Sequence, residues 1–333
     1  RLPRLIGLVN ALKVILSGVP KPAKYCKKIG IIDRVVHKEN LLEAAISNCK
    51  YKKRPAYRNK PLVNWFICNK AKSTALKRTT GNYPAPEKII KTISKGLNTT
   101  IEKSLDLERE AFVELAGTTV CKNLIRIFFL QESSKKLTIP SSEEWDESAK
   151  IPIKRTAVMG AGIAQWISSK GYHVSLKDIS PSHIGSGVKN IGDLYVTGVL
   201  KHKLDRPKAR NSLANITMNA GKEVKNKDLV IEAIAEKFDL KVQVLADIEK
   251  TSNNNTIIAT NTSALSITDI SKHLHRPENF IGIHFFNPPH KMKLVEVVVG
   301  EATSAETVYR TVEFVKSIGK LPVVVKDSPG FLV

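Results

Sequence analysis

Two residues twelve positions apart, His284 and Glu296, have the types and setting of an acid–base pair. His284 closes the apolar run Ile281-Gly-Ile-His284, and Glu296 lies inside Leu294-Val-Glu-Val-Val-Val299. An imidazole titrates near neutrality and can take a proton from a hydroxyl. A carboxylate beside it orients the ring and stabilises its charged form. Ser263 follows the β-branched run Thr256-Ile-Ile-Ala-Thr260, and Asn287 comes three residues after the histidine. Both are placed to hold a substrate oxygen or a ring amide. The plain alternatives are a capping histidine, a solvated strand glutamate and an Asn-Pro-Pro turn.

A second group of residues points to a nucleotide. Met159-Gly160-Ala-Gly162 joins a strand-like run to a helix-like one. Glycines there let the backbone approach a pyrophosphate, whose charge meets the helix N-terminus. Asp178 ends the next strand-like run, where a carboxylate accepts both ribose hydroxyls and selects NAD over its 2′-phosphorylated form. The turn is only a G-x-G without a third glycine, so an ordinary tight turn is the alternative. Glu236 and Lys241 read by themselves as a surface pair on a helix.

Positioning these residues requires an open sheet. From residue 151 the pattern alternates strand and helix: strands at 155–160, 173–178, 228–232, 256–260, 280–284, 294–299 and 322–325, helices between them. This predicts an α/β fold, a doubly wound Rossmann-type sheet with helices on both faces and antiparallel final strands. Short β-branched strands ending in polar residues are the layout of a sheet that delivers chemistry at its carboxyl edge. Residues 1–50 alternate helical and turn signals, with 31–36 reading as extended. Residues 51–150 read as a basic linker, mostly irregular over 51–83, followed by amphipathic helices at 84–96 and 101–130. The segment 131–154, poor in apolar residues, is the expected boundary.

Composition narrows the classes. The 333 residues are 42% hydrophobic, enough for real cores, and no apolar run reaches the length of a membrane span. Four cysteines lack paired metal spacing and read as reduced thiols, so no metal site is expected. The formal charge is +22. No acidic residue lies between Glu43 and Glu87, while Lys50, Lys52, Lys53, Arg54, Arg58, Lys60, Lys70, Lys72, Lys77 and Arg78 accumulate. Residues 50–78 thus predict weak polyanion binding, which a general lysine bias explains as well. The first residue is Arg1, with no initiator methionine or signal-like run, as expected of a piece or a processed product.

In its motifs the chain resembles the α-subunit of bacterial fatty-acid oxidation complexes, most of all the anaerobic type. These enzymes join an enoyl-CoA hydratase to an L-3-hydroxyacyl-CoA dehydrogenase. Arg1-Leu-Pro-Arg-Leu-Ile-Gly7, Ile15-Leu-Ser-Gly18 and Ile29-Gly-Ile-Ile-Asp-Arg-Val35 are similar to the end of its crotonase-like domain. Gly81-Asn-Tyr-Pro-Ala-Pro86 and Ala111-Phe-Val-Glu-Leu-Ala116 resemble the helical connection. Ile231-Glu-Ala-Ile-Ala-Glu236, Asn261-Thr-Ser-Ala-Leu265, Ile283-His-Phe-Phe-Asn-Pro288, Leu294-Val-Glu-Val297 and Asp327-Ser-Pro-Gly-Phe-Leu-Val333 resemble the dehydrogenase.

The resemblance implies NAD-dependent oxidation of L-3-hydroxyacyl-CoA to 3-oxoacyl-CoA in fatty-acid β-oxidation. It makes His284 the base, Glu296 its partner, and Ser263 and Asn287 neighbours of nicotinamide and substrate oxygen. Met159, Gly160, Gly162, Asp178, Glu236 and Lys241 fall where the family holds NAD. It implies a thiolase β-subunit as partner. The location would be the cytoplasm in a bacterium, and the mitochondrial matrix or peroxisome in a eukaryote.

The departures are specific. The family's turn is G-x-G-x-M-G, and Met159-Gly160 matches only its end. The hydratase's oxyanion glycines and paired glutamates would precede Arg1, so no hydratase activity is expected. A further asparagine and the helical closing domain would follow Val333. A non-catalytic descendant acting as a basic scaffold is the alternative reading.

Overall fold

The computed structural model describes residues 1–48, 61–138, 152–178, 181–201, 204–218 and 224–332. The chain divides into two compact units, Arg1–Phe129 and Leu130–Val333.

The first unit is helical among its described residues: α1 (Leu2–Ile6), α2 (Leu8–Ile15), α3 (Ala23–Lys28), α4 (Leu41–Ser47), α5 (Pro61–Thr79), α6 (Pro84–Leu97) and α7 (Ile101–Ala116), with α8 (Thr119–Lys135) running past its end. Residues 31–36, expected as extended, belong to no strand. The stretch 51–83, expected as mostly linker, carries α5 over 61–79, and residues 49–60 lie outside the described residues. Pro61 opens α5 at the position where its missing N–H costs nothing. No glycine or proline interrupts it before Gly81, which has φ +78°. Ile67, Cys68, Ala71 and Ala75 make a stripe that packs with Leu8, Leu12 and Ile90 into one apolar cluster. Exposed Leu62, Val63, Trp65 and Phe66 on its other sides blur that stripe in the sequence. Arg4 ties α1 to the end of α6, donating Nη2 to the carbonyls of Gly96 at 2.8 Å and Thr99 at 2.5 Å.

The second unit carries the predicted sheet. In chain order it runs β1 (Arg155–Val158), α9 (Ala161–Ser168), β2 (His173–Leu176), α10 (Pro181–Leu200), α11 (Arg206–Ala214), β3 (Ile216–Met218), β4 (Leu229–Glu232), α12 (Phe238–Thr251), β5 (Ile257–Thr260), α13 (Ile267–Ser271), β6 (Phe280–Phe285), β7 (Leu294–Val299), α14 (Ala305–Ser317) and β8 (Leu321–Lys326). The strand order is β3-β2-β1-β4-β5-β6-β7-β8. β3 through β6 are parallel, β7 is antiparallel to β6, and β8 is parallel to β7. Only β3, three residues at the edge, escaped the sequence reading.

The two faces of the sheet can be read residue by residue. Val158, Ile231, Ala259 and Val297 join one core with Ile163 and Ile167 of α9 and Val312 and Val315 of α14. Their neighbours Ala157, Val230, Ile258 and Val298 join the opposite core with Leu245 of α12 and Ile267 and Ile270 of α13. Alternate side chains point to opposite faces of a strand, so a strand covered by helices on both sides must be apolar throughout. At about 25 cal/mol per Å² of apolar surface, such two-sided burial is the main stabilising term. Gly282 on β6 marks the tightest point: a Cβ there would lie 2.8 Å from Val298 Cβ and 2.9 Å from Ile267 Cδ1.

Candidate active site

The carboxyl ends of five adjacent strands deliver the sequence-predicted residues in spatial order. Asp178 follows β2, Met159–Gly162 follow β1, Glu236 follows β4, Ser263 follows β5, and His284 lies at the end of β6. At about 4.8 Å per strand the row spans roughly 19 Å, the reach of an extended dinucleotide. The order reverses at β1 and β4, the crevice where open α/β sheets take ligands.

At one end of the row is the acid–base pair. His284 and Glu296 face each other across the antiparallel β6–β7 ladder, and a slip of one residue would turn them to opposite faces. His284 Nδ1 is 2.6 Å from Glu296 Oε2, and the Glu296 side chain is only 1% exposed. An ionised carboxylate can only accept, so Nδ1 carries the proton and Nε2 is left as the basic nitrogen. The other oxygen, Oε1, accepts the backbone N–H of Leu332 at 3.1 Å. The ring of His284 lies 4.6 Å from that of Phe286 and 6.2 Å from that of Phe331, centroid to centroid. The Phe285 N–H donates to Asn261 Oδ1 at 2.8 Å, which fixes the strand just past the histidine. Asn287 is exposed on the following turn, before a cis bond to Pro288.

The centre of the row is held by charge. Lys241, fully buried, donates Nζ to Glu232 Oε1 at 2.8 Å and Oε2 at 3.1 Å, and lies 3.4 Å from Glu236 Oε2. Glu232 is equally buried and also accepts from the Ile234 N–H at 2.6 Å and the Thr260 hydroxyl at 2.5 Å. The pairing of Lys241 with Glu236 is therefore no surface pair, because the lysine is enclosed and acts on the edge through the carboxylates it holds. Burial pushes the Glu236 carboxyl up. Hydrogen bonds from the Thr262 hydroxyl and the Ser263 N–H, with the Lys241 charge, outweigh it and hold the group below its ordinary value. That bond from the Ser263 N–H, 2.9 Å long, sets the loop after β5, and leaves the Ser263 side chain exposed.

Glu232, Asn261, Thr260 and Thr262 join the site only through these tertiary contacts. Glu232 had a signal: an acid ending the apolar strand Leu229-Val-Ile-Glu232 must be paired when buried.

The nucleotide end rests on the β1–α9 turn. The Met159 N–H donates to Ile231 O at 2.9 Å, keeping the turn against β4. Gly160 caps α9 in an extended conformation, and no side chain bonds to the first turn, so its N–H groups are open to an anion. A Cβ on Gly162 would meet Pro289 Cδ at 3.4 Å, and one on Gly160 would meet Ala233 Cβ at 3.3 Å. The turn is thus a close passage between β4 and the segment after His284. Asp178 is exposed, with His183 Nδ1 3.4 Å from its Oδ1. Open donors after β1 and a carboxylate after β2 fit the pyrophosphate and ribose of a dinucleotide.

A doubly wound sheet with a histidine–glutamate pair at its carboxyl edge defines the class of nicotinamide-nucleotide dehydrogenases. Residues 156–328 match the family of 3-hydroxyacyl-CoA dehydrogenase, NAD binding domain, and the chain belongs to that family. It is 37% identical over 353 aligned residues to the fatty acid oxidation complex subunit alpha of Acinetobacter baumannii (strain SDF), and 38% identical over the same length to that of Pseudomonas syringae pv. syringae. In both cases all of this chain is covered but only 48% of the relative, so it spans about half the length of these curated relatives. Among solved structures, the (S)-3-hydroxybutyryl-CoA dehydrogenase of Ralstonia eutropha is 39% identical with a TM-score of 0.53, over 54% of this chain and 66% of that one.

Proposed function

We propose that this chain carries the dehydrogenase step of fatty-acid β-oxidation, oxidising an L-3-hydroxyacyl-CoA to the 3-oxoacyl-CoA. The supporting observation is the 2.6 Å contact between His284 Nδ1 and the enclosed Glu296 carboxylate. It holds Nε2 as a base and stabilises the imidazolium that forms when the substrate hydroxyl gives up its proton. NAD supplies the hydride acceptor when bound. The open N–H groups after Gly160 would hold its pyrophosphate and Asp178 its adenosine ribose, while Glu236, kept in place by Lys241, Thr262 and the Ser263 N–H, would face its centre. Ser263 and Asn287 would orient the nicotinamide amide and the substrate oxygen, and the Phe286 ring against the imidazole would limit water at the reacting atoms. Met159 would line the turn.

The test is His284→Gln. Loss of a positioned base costs roughly 10²–10⁴ in rate, with NAD affinity nearly unchanged because the histidine works on the substrate side. Turnover equal to wild type would remove His284 from the chemistry.

By the same likeness, the helices of residues 1–47 are proposed as the end of a crotonase-like domain, and a thiolase subunit as the partner taking the product. Lys70, Lys77 and Arg78 lie on or beside a solvent-facing side of α5, which supports weak polyanion binding whose affinity falls steeply with salt. Among the described residues no helix is long and apolar enough to cross a membrane.

A further inference from the structure

The opposite, amino-terminal edge of the sheet holds a polar cavity of about 520 Å³. It lies where β1, β4 and β5 begin, beside the first turns of α14. Its charged lining is Arg155, Lys227 and Arg310 against Asp228 and Glu306, with a rim of asparagine side chains. The Asp228 carboxylate and three main-chain carbonyls of this lining already accept hydrogen bonds. Asp228 takes the N–H groups of Lys154 at 2.9 Å and Arg155 at 2.8 Å, and pairs with Arg155 Nη2 at 3.0 Å. Burial raises its carboxyl, but these bonds outweigh it and keep the group ionised below its ordinary range. The carbonyls of Asn253, Asn254 and Asn255 accept from Arg276, Asn279 and Arg310 respectively.

Two cationic side chains of the lining keep unmet donors. Arg310 is only 10% exposed, and its Nε is buried without an acceptor. Its Nη1 makes two long contacts, 3.3 Å to Asn255 O and 3.4 Å to Glu306 Oε1. Lys227 makes no hydrogen bond or ion pair through Nζ among the described residues. Its amine is pushed down by burial and then by the Arg155 charge, with Asp228 offsetting part of this. Two cationic side chains with unmet donors at one cavity favour an anion, because the buried Arg310 Nε carries a desolvation cost that an anionic oxygen removes.

We propose that this cavity is a second ligand site, for a small multivalent oxyanion of the phosphate or polycarboxylate class, gripped between Arg310 and Lys227. It stands at the edge of the sheet away from the catalytic pair, so its occupant is not the dinucleotide or the substrate. Occupation would brace the starts of three strands against α14.

Inorganic phosphate, citrate and chloride, compared at matched ionic strength, provide the test through thermal shift and isothermal titration on the whole chain, with and without saturating NAD. The expected result is saturable stabilisation by phosphate or citrate that chloride does not reproduce and NAD does not remove. Phosphate alone active points to a phosphoryl group, citrate alone to a carboxylate. Lys227→Met should weaken the binding about tenfold, the usual weight of one charged hydrogen bond, without altering the apo stability greatly. Arg310→Gln should do the same or more. Equal effects of all three anions, competition by NAD, or undiminished binding in Lys227→Met would overturn the proposal.

Discussion

Lys241→Met isolates what the buried charge cluster contributes. The substitution keeps the length and apolar stem of the side chain and deletes the cation between Glu232 and Glu236. Glu232, with no exposed surface, keeps two donors, the Ile234 N–H and the Thr260 hydroxyl, but loses two contacts of 2.8 and 3.1 Å to the ammonium. Breaking a buried pair from one side costs about 3–5 kcal/mol, and the surviving donors place this case near about 3. In a unit of roughly 200 residues, 1 kcal/mol shifts Tm by about 2–4 °C, so the expected fall is about 6–12 °C. The decisive comparison is the double variant Lys241→Met with Glu232→Gln. With the orphaned charge gone as well, most of the loss should return, giving a favourable coupling of about 2 kcal/mol or more in the cycle. Unfolding followed by circular dichroism reads both. A Tm for Lys241→Met within 2 °C of wild type, or a double variant as unstable as the sum of the two single changes, would refute the reasoning.

The remaining expectations are shorter. Gly282→Ala should destabilise by about 1–3 kcal/mol through overpacking, since its Cβ would press on Val298 and Ile267; an unchanged denaturation midpoint would contradict that packing. Lys320, 3% exposed, donates to the carbonyls of Pro289 and Met292, and burial, then the charge of Lys170, lowers its pKa from 10.5 to about 8. Between those two values the unfolded chain binds more protons than the folded one, so this lysine makes stability rise with pH across that window. Lys320→Met should flatten the rise, which unfolding at pH 7.5 and 10 would show. Asp178→Ser should narrow a preference for NAD over NADP, because the carboxylate that repels a 2′-phosphate is gone. Paired cofactor titrations decide it, and NADP binding wild type more tightly would reverse the assignment.

Much of this protein was legible before folding was considered, where period or spacing carries the information. Strands β4, β5 and β7 were visible because burial on both faces leaves no polar alternation. His284 and Glu296 were visible as a pair because each ends or interrupts an apolar run. Helix α5 was obscured, since large apolar residues also stand on its exposed sides, and only contact with Leu12 and Ile90 shows which side is inside. β3 was obscured because three residues carry too little period, and pairing with β2 defines it.

What tertiary structure alone decided is which charges are held and which are free. In sequence, Glu232 ends an apolar strand while Glu236 and Lys241 are ordinary ionisable residues, and nothing local states that Glu232 and Lys241 lose all contact with water. Burial is a property of the assembled sheet and helices: α12 laid across β4 and β5 encloses the lysine and obliges it to find carboxylates. The antiparallel turn of β7 likewise brings Glu296 within 2.6 Å of His284 across twelve residues of chain. The amino-acid types determined that acid–base chemistry was available, and the register of two strands determined where the proton sits.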